Sequence, residues 1–217
     1  MNNNILGLIL SIVYIGAIIA LSNLFAQKSK EVSRKFIHIF LANWWLICSY
    51  YIDNLWFAIS LPALFVVINY VSYKKNIIKS MERDDDQEKS PGTVYYAISL
   101  CIEVLFCYLF GFNKWICFAG IAVMGYGDGL AAVIGKWLDT KKVVFLKSTK
   151  SLAGSLTMLI VTGLIVGLTL YFLGAEYWIM KTIMIAIITT VAEAISVKGT
   201  DNLTVPILTT CMLLLCL

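Results

Sequence analysis

Charge is what this 217-residue chain has least of: 14% of its residues are Asp, Glu, Lys or Arg, while 60% are hydrophobic, and the mean hydropathy is +0.84. A soluble domain carries about a quarter charged residues, so the composition excludes a cytosolic globular enzyme, a disordered tail and a secreted disulfide scaffold. No Cys-x-x-Cys pair occurs. The six cysteines (Cys48, Cys101, Cys107, Cys117, Cys211 and Cys216) all fall in apolar runs and read as small buried residues. No internal repeat or low-complexity tract is visible. No cation precedes the first apolar run and no small-residue cleavage pattern follows it, so that run is expected to be a mature span and not a signal peptide. Length is scarce too. A membrane span takes about 20 apolar residues, which leaves room for at most about eight and little for a soluble domain. Chemistry is therefore expected at helix ends and short loops.

What is there is a series of apolar runs. They predict an all-α, polytopic integral membrane protein, one domain over residues 1–217 with about eight transmembrane helices, or seven. The spans are expected near 5–25, 36–51, 55–73, 94–109, 115–138, 152–172, 177–197 and 203–217. The last run is short, reaching roughly 22 Å at the helical rise. Fifteen of the seventeen Lys and Arg residues fall on one side of this arrangement, and only Lys114 and Lys181 on the other. The positive-inside rule places the loaded side in the cytoplasm, which in a bacterium makes the host membrane the inner one. The polar loop 74–93 contains Asp84, Asp85, Asp86 and Glu88. Its five acids balance its five bases, so a solvated loop is favoured over a Mg²⁺ site.

Within or beside the spans stand polar groups that a bilayer tolerates only for a reason. Glu103 has no motif around it and reads as a partner for a neighbouring helix. Asp128 lies in Gly125-Tyr126-Gly127-Asp128-Gly129, where glycines permit close approach or local unwinding. The segment is not a P-loop, because Gly129 and Gly135 are separated by five residues and Trp137 follows Lys136. Lys147-Ser148-Thr149-Lys150-Ser151-Leu152-Ala153-Gly154-Ser155 precedes the sixth span, and a helix N-terminus with lysines and hydroxyls is an anion site or a basic anchor. Glu31, Arg34, Lys35 and His38, spaced i, i+3, i+4, i+7, share one helix face. His38 is the only histidine. Glu193 ends the seventh span, and Asp201-Asn202 opens the eighth, where Asp caps a helix or binds Mg²⁺. Acids and phosphate-binding donors at one membrane face suggest a Mg²⁺-nucleotide meeting a lipid headgroup.

These motifs, in this order, resemble the dolichol kinase and phytol kinase family of membrane enzymes, which phosphorylate lipid alcohols with CTP and are distantly similar to CDP-lipid cytidylyltransferases. The resemblance runs from about Glu31 to Thr210: Glu31-x-x-Arg34-Lys35-x-x-His38, Gly127-Asp128-Gly129 with Gly135-Lys136, Lys150-Ser151-Leu152-Ala153-Gly154-Ser155, and Glu193 followed by Asp201-Asn202-Leu203-Thr204-Val205-Pro206. It implies a CTP-dependent kinase acting on a polyprenol, a phytol-like alcohol or diacylglycerol, with Mg²⁺ as the divalent cation. Asp128, His38 and Glu193 are then the catalytic candidates, and Asp128 and Asp201 the metal ligands. Arg34, Lys35, Lys150, Ser151, Gly154, Ser155 and Asn202 are the nucleotide and phosphate ligands. Ala153 and Thr200 depart from the pattern, which commonly has acids at both positions. The rival readings are a cytidylyltransferase using the same groups and a small transporter using Glu103 and Glu193. Expected partners are the lipid alcohol and the nucleotide, with no nucleic acid polymer; the sequence leaves the oligomeric state open.

Overall fold

The structure is a computed structural model that describes residues 2–26, 29–75, 90–138, 140–145 and 148–217. The acidic run Asp84–Asp86 lies outside the described residues. Ten α-helices, one π-helical turn and one short β-hairpin make up the described chain: α1 (Asn3–Ala26), α2 (Lys30–Leu41), α3 (Trp44–Tyr51), α4 (Leu55–Lys75), α5 (Gly92–Tyr108), α6 (Lys114–Ala122), the π turn (Val123–Asp128), α7 (Gly129–Trp137), β1 (Lys142–Phe145), β2 (Ser148–Ser151), α8 (Leu152–Phe172), α9 (Trp178–Ile195) and α10 (Asp201–Cys216).

The all-α expectation holds apart from the hairpin, in which Lys142 pairs with Ser151 and Phe145 with Ser148, antiparallel. Five helical segments are long and apolar enough to cross a membrane: 3–25, 55–75, 114–137, 152–172 and 178–195. Two more apolar helices, α5 and α10, are shorter. The segment 114–137 is the hub, since 72% of its apolar window is buried against 22–33% for the other four. Its neighbours turn apolar side chains outward, as Ile12, Leu64, Leu164 and Ile183 do, each more than half exposed. In a bilayer that surface faces lipid, so such exposure carries no penalty.

The second expected span is not one helix. α2 ends at Leu41 and α3 begins at Trp44. α2 alone is amphipathic, with Ser29 accepting from the Val32 N–H at its start and the charged face of Glu31, Arg34, Lys35 and His38 along it. The break is pinned on both sides: Asn43 Oδ1 accepts from the Tyr126 hydroxyl at 2.9 Å, and Trp44 Nε1 donates to Ser11 Oγ at 3.0 Å. Gly125 makes the crossing of α2 and the hub close, since a Cβ there would sit 2.6 Å from that of Ala42.

The fifth span also departs from a plain helix. Val123–Asp128 widens into a π turn at the glycine-rich segment. Such bulges arise where one residue too many is accommodated in a helix, and they recur at functional sites. Within the bundle, Glu103 is fully buried in the interior of α5 and accepts a hydrogen bond from Thr210 Oγ1 of α10 at 2.8 Å.

Candidate functional site

The N-terminal halves of α2, α5, α8 and α10, the last turn of α9, the π turn and β2 converge at one end of the bundle. The chemistry is carried by three acids. Asp128 closes the π turn, Glu193 lies in the last turn of α9, and Asp201 opens α10. One carboxylate oxygen from each lies within 4.8 Å of the others. Three carboxylates this close repel strongly where water is scarce, so cations must accompany them.

Two lysines do. Lys35 Nζ donates to Asp128 Oδ2 at 2.6 Å, both groups being buried. Lys150, from β2, pairs with Glu193 and lies 3.7 Å from Asp201 Oδ2. Burial lowers the pKa of Lys150, but Glu193, Asp201 and Asp128 outweigh it and hold the ammonium above its ordinary value. His38 Nε2 faces two acceptors, Met124 O at 3.1 Å and Asp128 Oδ2 at 3.3 Å. It therefore carries the proton, leaving Nδ1 as the acceptor. Tyr96 holds the ring edge-on at 4.9 Å between centroids and donates its hydroxyl hydrogen to the His38 carbonyl at 3.1 Å.

The loop before α8 differs from an open anion cradle. Ser151 caps the helix, its Oγ accepting from the Gly154 N–H at 3.1 Å, and Thr140 Oγ1 accepts from the Ala153 N–H at 2.9 Å. Two of the N–H groups expected to be open for phosphate are thus already satisfied. Gly135 lets α7 cross here, because a side chain would collide with Ser151 and Gly154. Cation, not backbone, is what this loop brings to the acids.

The remaining expected residues divide. Ser155 and Arg34 line the same cavity. One Arg34 guanidinium nitrogen donates to Glu31 at 2.6 Å, and its buried Nε has no hydrogen-bond partner. Asn202 also lines the cavity; its amide donates to the Gly92 carbonyl at 3.1 Å, leaving Oδ1 without a donor. Glu103 does not join the site. Thr200, one of the two departures from the family pattern, closes a turn through Val197, accepting from its N–H at 3.2 Å and donating to its carbonyl at 2.9 Å.

The cavity has a volume of about 990 Å³, and its rim also carries Lys136, Lys142 and Lys198. Sequence reasoning gave Lys142, Lys198 and Tyr96 no site role. Lys198 had one local signal, its place beside Gly199 in a turn; its backbone takes φ of 51°, a left-handed conformation a lysine seldom adopts.

Oxygen-only donors at this spacing suit a hard divalent cation such as Mg²⁺. An orphaned guanidinium N–H and a rim of lysines suit phosphate. Fold and site together define a helical membrane protein with a buried acid–lysine centre opening on a cavity that is polar at one end and apolar at the other.

The chain is 30% identical over 212 residues to the phytol kinase of Synechocystis sp., covering 91% of this chain and 86% of that protein. It belongs to the phytol and polyprenol kinase family. It is also 28% identical to a probable chloroplastic phytol kinase of Glycine max, over 89% of this chain and 68% of that protein. To the chloroplastic farnesol kinase of Arabidopsis thaliana it is 29% identical, over 81% and 62%. No family model and no solved structure matches the chain.

Proposed function

We propose that the chain is a CTP-dependent lipid-alcohol kinase, transferring the γ-phosphoryl group of CTP to the hydroxyl of a membrane alcohol at the cytoplasmic face. The observation that carries this reading is the set of three carboxylates and two ammoniums gathered in a cavity whose far wall is apolar. The kinase names of the relatives support phosphoryl transfer over cytidylyl transfer and over transport. CTP as donor rests on the resemblance of the motifs.

Phosphoryl transfer asks for placement and charge stabilisation more than covalent chemistry. Asp128 and Asp201, with Glu193 beside them, are the residues to hold Mg²⁺, which when bound would neutralise the charge on the phosphates. Lys150, Arg34 and the rim lysines bind phosphate oxygens. Asp128, held by Lys35 and His38, orients the alcohol and takes its proton. The hydroxyl oxygen forms a bond to the γ-phosphorus, the bond from that phosphorus to the β–γ bridging oxygen breaks, and CDP leaves with the electron pair.

The test is to incubate purified protein with γ-labelled CTP, Mg²⁺ and a panel of phytol, polyprenols and diacylglycerol. The expected products are a labelled lipid phosphate and CDP. Pyrophosphate with a CDP-lipid would assign the site to cytidylyl transfer instead. Solute flux without nucleotide turnover would assign it to transport.

A further inference from the structure

The apolar end of the same cavity also bears on which alcohols the site admits. Beyond Asp128 and His38 its walls are Ile15 and Ile18 of α1, Trp44 of α3, Leu61 and Phe65 of α4, and Leu100 of α5. α1 contributes Ile15, Ile18 and Ile19 and α4 contributes Leu61, Pro62, Phe65 and Asn69, positions that keep each set to one side of its helix. Trp44 is a rigid wall: it is 2% exposed, its indole is tied to Ser11 Oγ, and that hydroxyl donates in turn to the Gly7 carbonyl at 2.7 Å. An apolar chamber continuous with an acid–lysine centre fits a ligand that is hydrocarbon at one end and reactive at the other.

We propose that Trp44 and Leu100, the latter the deepest α5 residue of the lining, gauge the length of the alcohol's tail and that this apolar arm admits one chain. The proposal rests on the lipid-alcohol kinase reading and names the residues that set its chain-length specificity. One stripe from each helix, with the small Ala97 between Tyr96 and Leu100, makes a lane for one chain; the two chains of diacylglycerol need two. From Asn69 to Leu61 on α4 the wall runs about 12 Å at the helical rise. An extended chain advances about 1.2 Å per bond, judging by the polypeptide backbone, so the arm takes roughly ten bonds, two to three isoprene units. A longer tail must bend or leave the arm at Trp44 and Leu100.

The experiment measures kcat/KM for prenyl alcohols of one, two, three and four isoprene units, with diacylglycerol as comparison. Wild type, Ala97→Phe and Leu100→Ala are compared. Ala97→Phe blocks the lane and should cost the three- and four-unit alcohols about tenfold or more relative to the one-unit alcohol. Leu100→Ala deepens the arm and should raise the four-unit to two-unit ratio several-fold. The KM for CTP should not move in either variant. If Ala97→Phe does not fold, a photoreactive group on the third isoprene unit gives the answer in wild type. Labelling of Ile18, Phe65 or Leu100 supports the arm; labelling confined to outward residues such as Ile12 and Leu64 overturns it. Chain-length profiles unchanged in folded variants would sink the tail arm alone. If wild type phosphorylates no alcohol, the kinase reading falls and the arm's assignment with it.

Discussion

Asp128 and Glu103 are both acids within apolar helices, and their surroundings have little in common. Asp128 meets Lys35 at 2.6 Å and His38 at 3.3 Å beside a cavity, while Glu103 meets one hydroxyl, Thr210 Oγ1, at 2.8 Å, with Gly120 of α6 pressed close behind. Among the described residues no ion pair reaches Glu103. A cation partner leaves the acid charged and exchangeable: a phosphate can draw off the lysine and a metal ion can replace it. A hydroxyl partner uses the acid up as a clasp between α5 and α10. An acid within the membrane is therefore no sign of chemistry until its partner is known.

The widest separation between the two regions should come from amide substitutions. Asp128→Asn keeps the volume and removes the charge, so turnover should fall about a thousandfold or more, because placed charge carries most of phosphoryl-transfer catalysis. Glu103→Gln should leave turnover within a fewfold of wild type. The measurement is CTP-dependent lipid phosphorylation on detergent-purified protein that melts like wild type. Comparable activity in the two variants would erase the distinction.

Lys150→Ala comes next. It strips Glu193 and Asp201 of their counter-charge and should lower kcat/KM for CTP by about 10–100-fold, the worth of one charged hydrogen bond. Lys150→Arg should recover part of it. An unchanged CTP dependence in folded protein would make Lys150 an interfacial anchor.

The clasp should show itself in stability. Thr210→Val removes the hydroxyl donor to Glu103 and should cost about 1–2 kcal/mol, a fall in Tm of roughly 2–8 °C. Activity at low temperature should survive. A loss of activity without a drop in Tm would tie the clasp to the site.

The smallest effect is one of pH. Lys150 is held above the ordinary lysine pKa, about 10.4. Its charge-dependent stabilisation is thus complete below that ordinary value, and is lost only as the pH rises through the higher folded-state value. KM for CTP, followed from about pH 7 to 9, should therefore show no Lys150 titration. A rise centred below pH 9 that disappears in Lys150→Arg would contradict the pairing.

Helix positions were largely legible in the sequence, because apolarity over some twenty residues is a local property that the bilayer rewards directly. The run expected over 152–172 is α8 to the residue, and the final run over 203–217 is α10, which starts two residues earlier and ends one earlier. Asp128 and Glu193 were visible as well, since a charge in an apolar run stands out, and Asp201 through its place at the start of the last span. The break at Ala42–Asn43 was not, because nothing local demands it: it depends on Tyr126 and Ser11, which lie far away in sequence. The capped N-terminus of α8 was hidden for the same reason, as Thr140 reaches it across the hairpin.

What only the tertiary structure decided is who meets whom. Lys35 and Asp128 are 93 residues apart, and Lys150 and Glu193 are 43. Composition and periodicity do not specify such pairings, because they depend on how the hub helix widens at its π turn and which face of α2 it receives. Asp128 became a site and Glu103 a clasp through packing, since the cost of burying a carboxylate is met by whichever donor the neighbouring helix brings within reach.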